Sequence, residues 1–197
     1  HYDEIQKFGF EIATDLFSFN TRGEFAFTLT EDTDGDDPNI RNNKLGFVLS
    51  VDKDLPIHNC NLNFQVKTEM LLDKDKIKRN TNFGKSNDEI DDTKQDLVVD
   101  GVNLGYDIDY DFDNDYIYNL INIVLTDSFV AGKYNPSLRL IYDVEGESLF
   151  IKPELKIKTK SEVEISFAYI AYEGDALTEF GQFDKNDFAE LRLKYNF

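Results

Sequence analysis

The chain has 197 residues, 41% of them hydrophobic and 14% aromatic, with no Trp, 17 Phe and 10 Tyr, a composition that suits one β-rich domain. A formal net charge of -18 and a pI near 4.4 argue against a nucleic-acid partner, whose phosphates would repel it. The single cysteine, Cys60, excludes an intrachain disulfide framework, and no window approaches the roughly 18 to 20 consecutive apolar residues of a membrane-crossing helix.

The chain opens at His1-Tyr2 with neither an initiator Met nor an apolar leader, so a removed signal segment or a piece of a longer protein is expected. From there one unit recurs: a short run in which apolar and polar residues alternate, then a connection. Side chains on a strand point to opposite faces with period two, so each such run carries one apolar and one polar wall. Phe8, Phe10 and Ile12 oppose Lys7 and Glu11; Phe25, Phe27 and Leu29 oppose Arg22, Glu24, Ala26 and Thr28, with a short turn expected at 19–22. Next, Leu45, Phe47, Leu49 and Val51 oppose Lys44, Gly46 and Ser50. The cleanest run sets Leu62, Phe64 and Val66 against Asn61, Asn63, Gln65, Lys67 and Glu69.

Between 105 and 116 Asp107, Asp109, Asp111, Asp113 and Asp115 alternate with Tyr106, Ile108, Tyr110 and Phe112. Such a row of carboxylates has to face water, cations or basic partners, so it is expected at a solvent-facing rim that leads into a strand over 116–125. Alternation resumes with Leu138, Leu140 and Tyr142 against Ser137, Arg139 and Asp143. Leu149, Ile151, Leu155 and Ile157 then oppose Lys152, Glu154, Lys156 and Lys158, with Pro153 on the apolar side counting against a central strand there. Val163, Ile165, Phe167 and Tyr169 oppose Glu162, Glu164, Ser166 and Ala168, and Leu191, Leu193, Tyr195 and Phe197 oppose Glu190, Arg192, Lys194 and Asn196.

The connections alternate in length. Acidic loops at 30–43, 73–115 and 173–187 hold about fifteen of the eighteen net negative charges, while the turns near 20, 54–57, 131–133 and 160–161 are short; only 145–147 is short where a long loop is due. Roughly ten-residue strands with one apolar face, short turns on one side and long loops on the other are the repeating unit of a transmembrane β-barrel. The expected fold is therefore all-β: residues 1–197 form one antiparallel up-and-down transmembrane β-barrel region. About nine strands is odd against the even number of bacterial barrels, which suggests the C-terminal portion of a larger barrel lacking N-terminal strands. In a barrel Arg139, Lys152, Glu154, Lys156, Lys158, Glu162, Glu164, Glu190, Arg192 and Lys194 would line the lumen, where rings of charge set selectivity for small solutes.

The closing strand, with Tyr195 third from the end and Phe197 last, resembles the C-terminal strand of Gram-negative outer-membrane barrels. The segment before it, G-D-x-x-T-E-F-G-Q-F from Gly174 to Phe183, is similar to a group of largely uncharacterised, porin-like outer-membrane proteins. The resemblance implies an outer-membrane location, lipid and lipopolysaccharide as surroundings, and Tyr195 and Phe197 as the signal read by the barrel assembly machinery. It supplies no catalytic residues. The chain itself has none of G-x-S-x-G, H-E-x-x-H or a P-loop, and its only histidines are His1 and His58, so no enzyme is expected and no cofactor. Asp32, Asp34 and Asp36 alternate near Gly35 as in the start of a calcium loop, but Asn43 stands where the bidentate Glu belongs, leaving at most weak surface calcium binding. Two other readings stand beside the porin-like one: a secreted or surface β-sandwich binding carbohydrate or calcium, and a barrel that sheathes a partner such as a redox or export component. Burial separates barrel from sandwich, because the faces of Phe27, Leu49, Phe64, Leu155, Phe167 and Leu193 meet lipid in the first and one another in the second.

Overall fold

A computed structural model describes residues 4–33, 40–72, 74–76, 98–99, 102–103, 116–159, 163–176 and 178–195. Its strands are β1 (Gln6–Leu16), β2 (Phe19–Leu29), β3 (Lys44–Asp54), β4 (Asn61–Leu71), β5 (Val98–Val99), β6 (Val102–Asn103), β7 (Ile117–Thr126), β8 (Tyr134–Asp143), β9 (Ser148–Lys158), β10 (Val163–Glu173) and β11 (Phe188–Tyr195). Nine of them form one antiparallel up-and-down sheet in the order β1-β2-β3-β4-β7-β8-β9-β10-β11, and β5 and β6 form a separate two-stranded ladder. The fold is all-β, and the nine sheet strands fall where the sequence places them, eight marked by alternation and β7 at the strand expected over 116–125. The acidic ribbon expected over 105–115 lies outside the described residues.

Two local expectations change. The first turn sits at Phe17-Ser18, not at 19–22: φ of 50° and 66° at these residues builds a two-residue hairpin loop whose twist matches the strands, so β2 begins already at Phe19. Pro153 lies inside a central strand, not an edge. Leu138 of β8 stands opposite it, while on the β10 side the register pauses between Ala168↔Glu154 and Ala171↔Ile151 and resumes unshifted. The missing donor therefore costs one local stretch of ladder and leaves the pairing intact on both sides.

By internal contacts the chain divides into two units: His1–Ile12, Glu24–Val48 and Lys67–Asn119 form the first, and Ala13–Gly23, Leu49–Val66 and Leu120–Phe197 the second. In the first unit Leu71, Tyr116 and Tyr118 are buried, whereas Phe10 on the apolar face of β1 is 66% exposed. The Leu71 amide donates to the Tyr116 carbonyl (2.9 Å) and the Leu72 amide to the Asn43 carbonyl (2.8 Å), which ties the ends of β3, β4 and β7. Asn43 also accepts, through Oδ1, the backbone N–H of Thr30 at 2.7 Å, with both residues buried.

In the second unit burial alternates along β10 in the sense opposite to a water-soluble sheet. Ser166, Ala168 and Ile170 are buried, while Phe167 and Tyr169 between them are about half exposed. The apolar wall named above follows suit: Leu49, Leu155 and Leu193 are exposed, and Phe64 is half-buried. Among the described residues no element of this unit covers that wall.

Replacing Asn43 by Ala leaves the buried Thr30 amide without its acceptor, an expected loss of about 1–3 kcal/mol. Thermal unfolding of the variant beside the parent reads this as a lowered midpoint.

Candidate functional site

The polar face of β8–β11 is where the predicted charges meet. Because register pairs residues directly across neighbouring strands, side chains of one parity fall into rows. Arg139 faces Lys152; Ser137 faces Glu154, level with Ala168 and Glu190; Asn135 faces Lys156, level with Ser166 and Arg192; Lys158, Glu164 and Lys194 share the next row. Nine of the ten predicted residues thus lie on one face, and Glu162 lies outside the described residues.

Ion pairs link these rows. Lys152 Nζ stands 4.0 Å from Glu154 and 3.9 Å from Glu190, Lys156 Nζ is 3.8 Å from Glu164, and Arg192 binds Glu190. The Lys152–Glu190 contact joins β9 to β11 over the intervening β10, a span of two strand spacings, roughly 10 Å. Only a small residue beneath permits it, and β10 supplies Ala168 and Ser166 there. The long side chains arching over them explain why these two are buried on a polar face. Each half-exposed pair is worth about 0–1 kcal/mol, so the network orders the face more than it stabilises the fold.

One end of this face is closed by the connection 174–187, within the long acidic loop expected at 173–187. It is a docked strap. Asp143, fully buried at the end of β8, accepts the Gly146 amide (3.1 Å) and the Ser148 hydroxyl (3.0 Å); Ser148 Oγ in turn accepts the Phe180 amide (3.2 Å). Thr178, also fully buried, donates to the Asp175 carbonyl (2.8 Å) and accepts the Gly181 amide (3.0 Å). The turns pack backbone to side chain: a Cβ on Gly174, whose φ is +142°, would stand 2.5 Å from the Ser148 Cβ, and one on Gly181 would collide with the Asp175 carbonyl oxygen. A short 3-10 turn, Gly181–Phe183, then lays Phe180 and Phe183 against Phe150 and Tyr172, with centroids 6.1 Å and 5.4 Å apart. The short 145–147 connection has its reason here, since Gly146 forms part of the socket. The missed signal was present in the sequence: two glycines around a threonine are costly in a free loop and useful only where backbone must approach closely.

In the first unit a cavity of about 400 Å³ opens on the polar face of β1–β4. Gly9, Ala26 and Gly46 form its floor and Glu11, Glu24, Lys67 and Glu69 its charged wall. Glu69 is held between Lys44 (3.2 Å) and Lys67 (3.0 Å), and Lys67 also lies over the Tyr118 ring. Of the predicted calcium ligands Asp32 is buried, Asp34 and Asp36 lie outside the described residues, and no group of three metal-binding side chains occurs among the described residues. Tyr195 ends β11, exposed and opposite Val163; Phe197 lies outside the described residues.

Two short turns of the second unit are clamped to each other. His58 Nδ1 lies 2.8 Å from Asp127 Oδ1, its ring stacks on Phe129 at 4.2 Å, and the Asn59 amide group donates to the Ser128 carbonyl (2.8 Å). Desolvation pushes the Asp127 pKa up, but the hydrogen bond to His58, the Ser128 amide, the His58 charge and the Asn59 amide outweigh it and hold the carboxyl below its ordinary value of 3.8. The clamp's contribution is therefore complete above the unfolded value and fades as pH falls from about 4 through the lower folded value.

Two outcomes follow. Asp127→Asn flattens the acid limb of the unfolding midpoint below about pH 4 relative to the parent, where a carboxyl held under its ordinary value loses its contribution. Thr178→Val keeps the volume but strips the Gly181 amide of its acceptor, and costs about 1–3 kcal/mol; limited proteolysis then cuts the strap at concentrations that spare the parent. Comparison of the chain with protein-family models, with curated proteins and with solved structures found no match, so the polar face is defined by its own contacts.

Proposed function

We propose that this chain is a β-barrel protein of the Gram-negative outer membrane, or the C-terminal portion of a larger barrel, whose apolar face meets lipid while its polar face lines a conduit for small solutes. The observation that carries this reading is the burial pattern of large apolar side chains: along β10 Phe167 and Tyr169 are about half exposed while Ser166 and Ala168 are buried, and Phe8, Phe10, Phe47, Leu49, Leu155, Leu191 and Leu193 are exposed on other strands of the sheet. Fully burying one Leu or Phe is worth about 1.5–3 kcal/mol. Leaving about a dozen of them half exposed to water therefore forgoes on the order of 10 kcal/mol, as much as the roughly 5–15 kcal/mol that holds an ordinary domain together. Hydrocarbon surroundings remove that cost. A sandwich would instead press these faces together.

Strand dimensions agree. The sheet strands other than β11 run for 10 or 11 residues, the length a tilted strand of about 9–11 residues needs to cross a bilayer. Tyr195 and Phe197 would be read by the assembly machinery, and lipopolysaccharide would meet the acidic loops.

The test is fractionation and gel behaviour. The protein is expected in the outer membrane, soluble only in detergent, with a mobility that shifts on boiling and discrete conductance steps in planar bilayers. A monodisperse, detergent-free soluble species would overturn the lipid-facing assignment.

A further inference from the structure

We infer that the β8–β11 wall makes the conduit select small anions, although the chain as a whole carries a net charge of -18. This rests on the conduit reading and names its solute class. In the four rows described above the wall carries six cations, Arg139, Lys152, Lys156, Lys158, Arg192 and Lys194, against three carboxylates, Glu154, Glu164 and Glu190. Asp143, the other acidic residue of this face on β8, is buried in the strap socket and bound by two donors. The unit's remaining strand carboxylates of that parity, Asp15, Asp52 and Asp54, sit on β1 and β3, the last two holding the amide of Asn61 at 3.1 and 3.0 Å.

The placement of the cations is as informative as their number. Arg139 and Lys152 stand directly opposite one another on neighbouring strands, an arrangement that destabilises a ladder unless something negative comes between. Lys156 and Arg192 share a row across Ser166, and Lys158 and Lys194 flank Glu164, which is already engaged by Lys156. Among the described residues Arg139, Lys158 and Lys194 have no carboxylate within ion-pair distance, and all three side chains are exposed. The chain has carboxylates in excess, and among the described residues none forms an ion pair with these three. A small mobile anion, such as chloride, phosphate or a short dicarboxylate, is what these positions can hold and pass from row to row. Fixed charge lining a path sets its selectivity in this way.

The acidic loops would favour cations, so the measurement has to silence them. At about 1 M salt the Debye length is about 3 Å, and only groups at the wall of the path are felt. The experiment is the reversal potential of the purified protein in planar bilayers under a potassium chloride gradient with both sides near that concentration. The two ions have nearly equal mobility, so an unselective path gives no potential. The parent is expected to give a chloride-directed potential, and the triple variant Arg139→Gln, Lys158→Gln, Lys194→Gln to lose it or reverse its sign; inorganic phosphate at millimolar concentration should reduce the chloride current of the parent and not that of the variant. A potassium-directed or zero potential in the parent overturns the inference and leaves the conduit standing. So does a chloride-directed potential that the triple variant does not alter. If the parent is heat-modifiable yet never conducts, the conduit reading falls and the anion preference falls with it. The parent's own potential decides even if the triple variant fails to assemble, and Lys194→Gln at the edge strand then serves as the single substitution.

Discussion

Strict neighbour-to-neighbour hydrogen bonding is the constraint on which everything else in this chain depends. Each sheet strand between the edges β1 and β11 pairs with its neighbour in the sheet on either side, so its amides and carbonyls are spent sideways and its side chains are free to obey period two alone. Register then propagates. From Leu120↔Asp143 through Asp143↔Ser148 and Ala168↔Glu154 to Ala168↔Glu190, a residue's parity on one strand fixes the face of its partner on the next. A slip of one residue anywhere along this series would turn a greasy wall toward a charged one. That is why Pro153 can sit in the middle of β9 without harm. It removes a bond, and the unshifted pairs on both sides of it keep the parity.

The polar face gains its character from what β10 lacks. Ser166 and Ala168 offer no side-chain length of their own, so Lys152 and Glu190 reach each other over the strand that separates them. The arrangement also makes the face thin at the centre of β10 and thick at the strap, where Phe150, Tyr172, Phe180 and Phe183 gather. Charge occupies the stretch where there is room, and aromatic carbon the stretch where the chain folds back over itself. The two zones meet at Ile170, which is buried at the level of Lys152, between Tyr172 and Ala168.

Most of the sheet was legible in the sequence because alternation is a local signal that tertiary contacts do not alter. Phe8-Phe10-Ile12 or Leu62-Phe64-Val66 can be read without knowing what lies beside them, and so can the faces of Lys152 and Arg192. What escaped was every feature made by residues far apart in the chain. The acidic loop at 173–187 is legible from its charges, whereas its docking comes from Thr178, Gly174 and Gly181 meeting Ser148 and Asp143 some thirty residues earlier. The His58–Asp127 clamp joins two turns that give no sign of each other. The Phe17-Ser18 turn is hidden for a different reason: two left-handed residues usually announce themselves as Asn or Gly, and here they do not.

The odd number of strands in the sheet has a directional consequence. In an up-and-down order of nine, the first and the last strand run the same way, so β1 and β11 present edges of identical polarity. Zipped to each other, or to the corresponding edge of a second molecule facing the same way, they would make a parallel seam, with slanted bonds slightly weaker per residue than the rest of the ladder. An antiparallel seam calls for a counter-running strand at each edge. Arrows drawn on the strands would show a fabric whose two selvedges point in one direction.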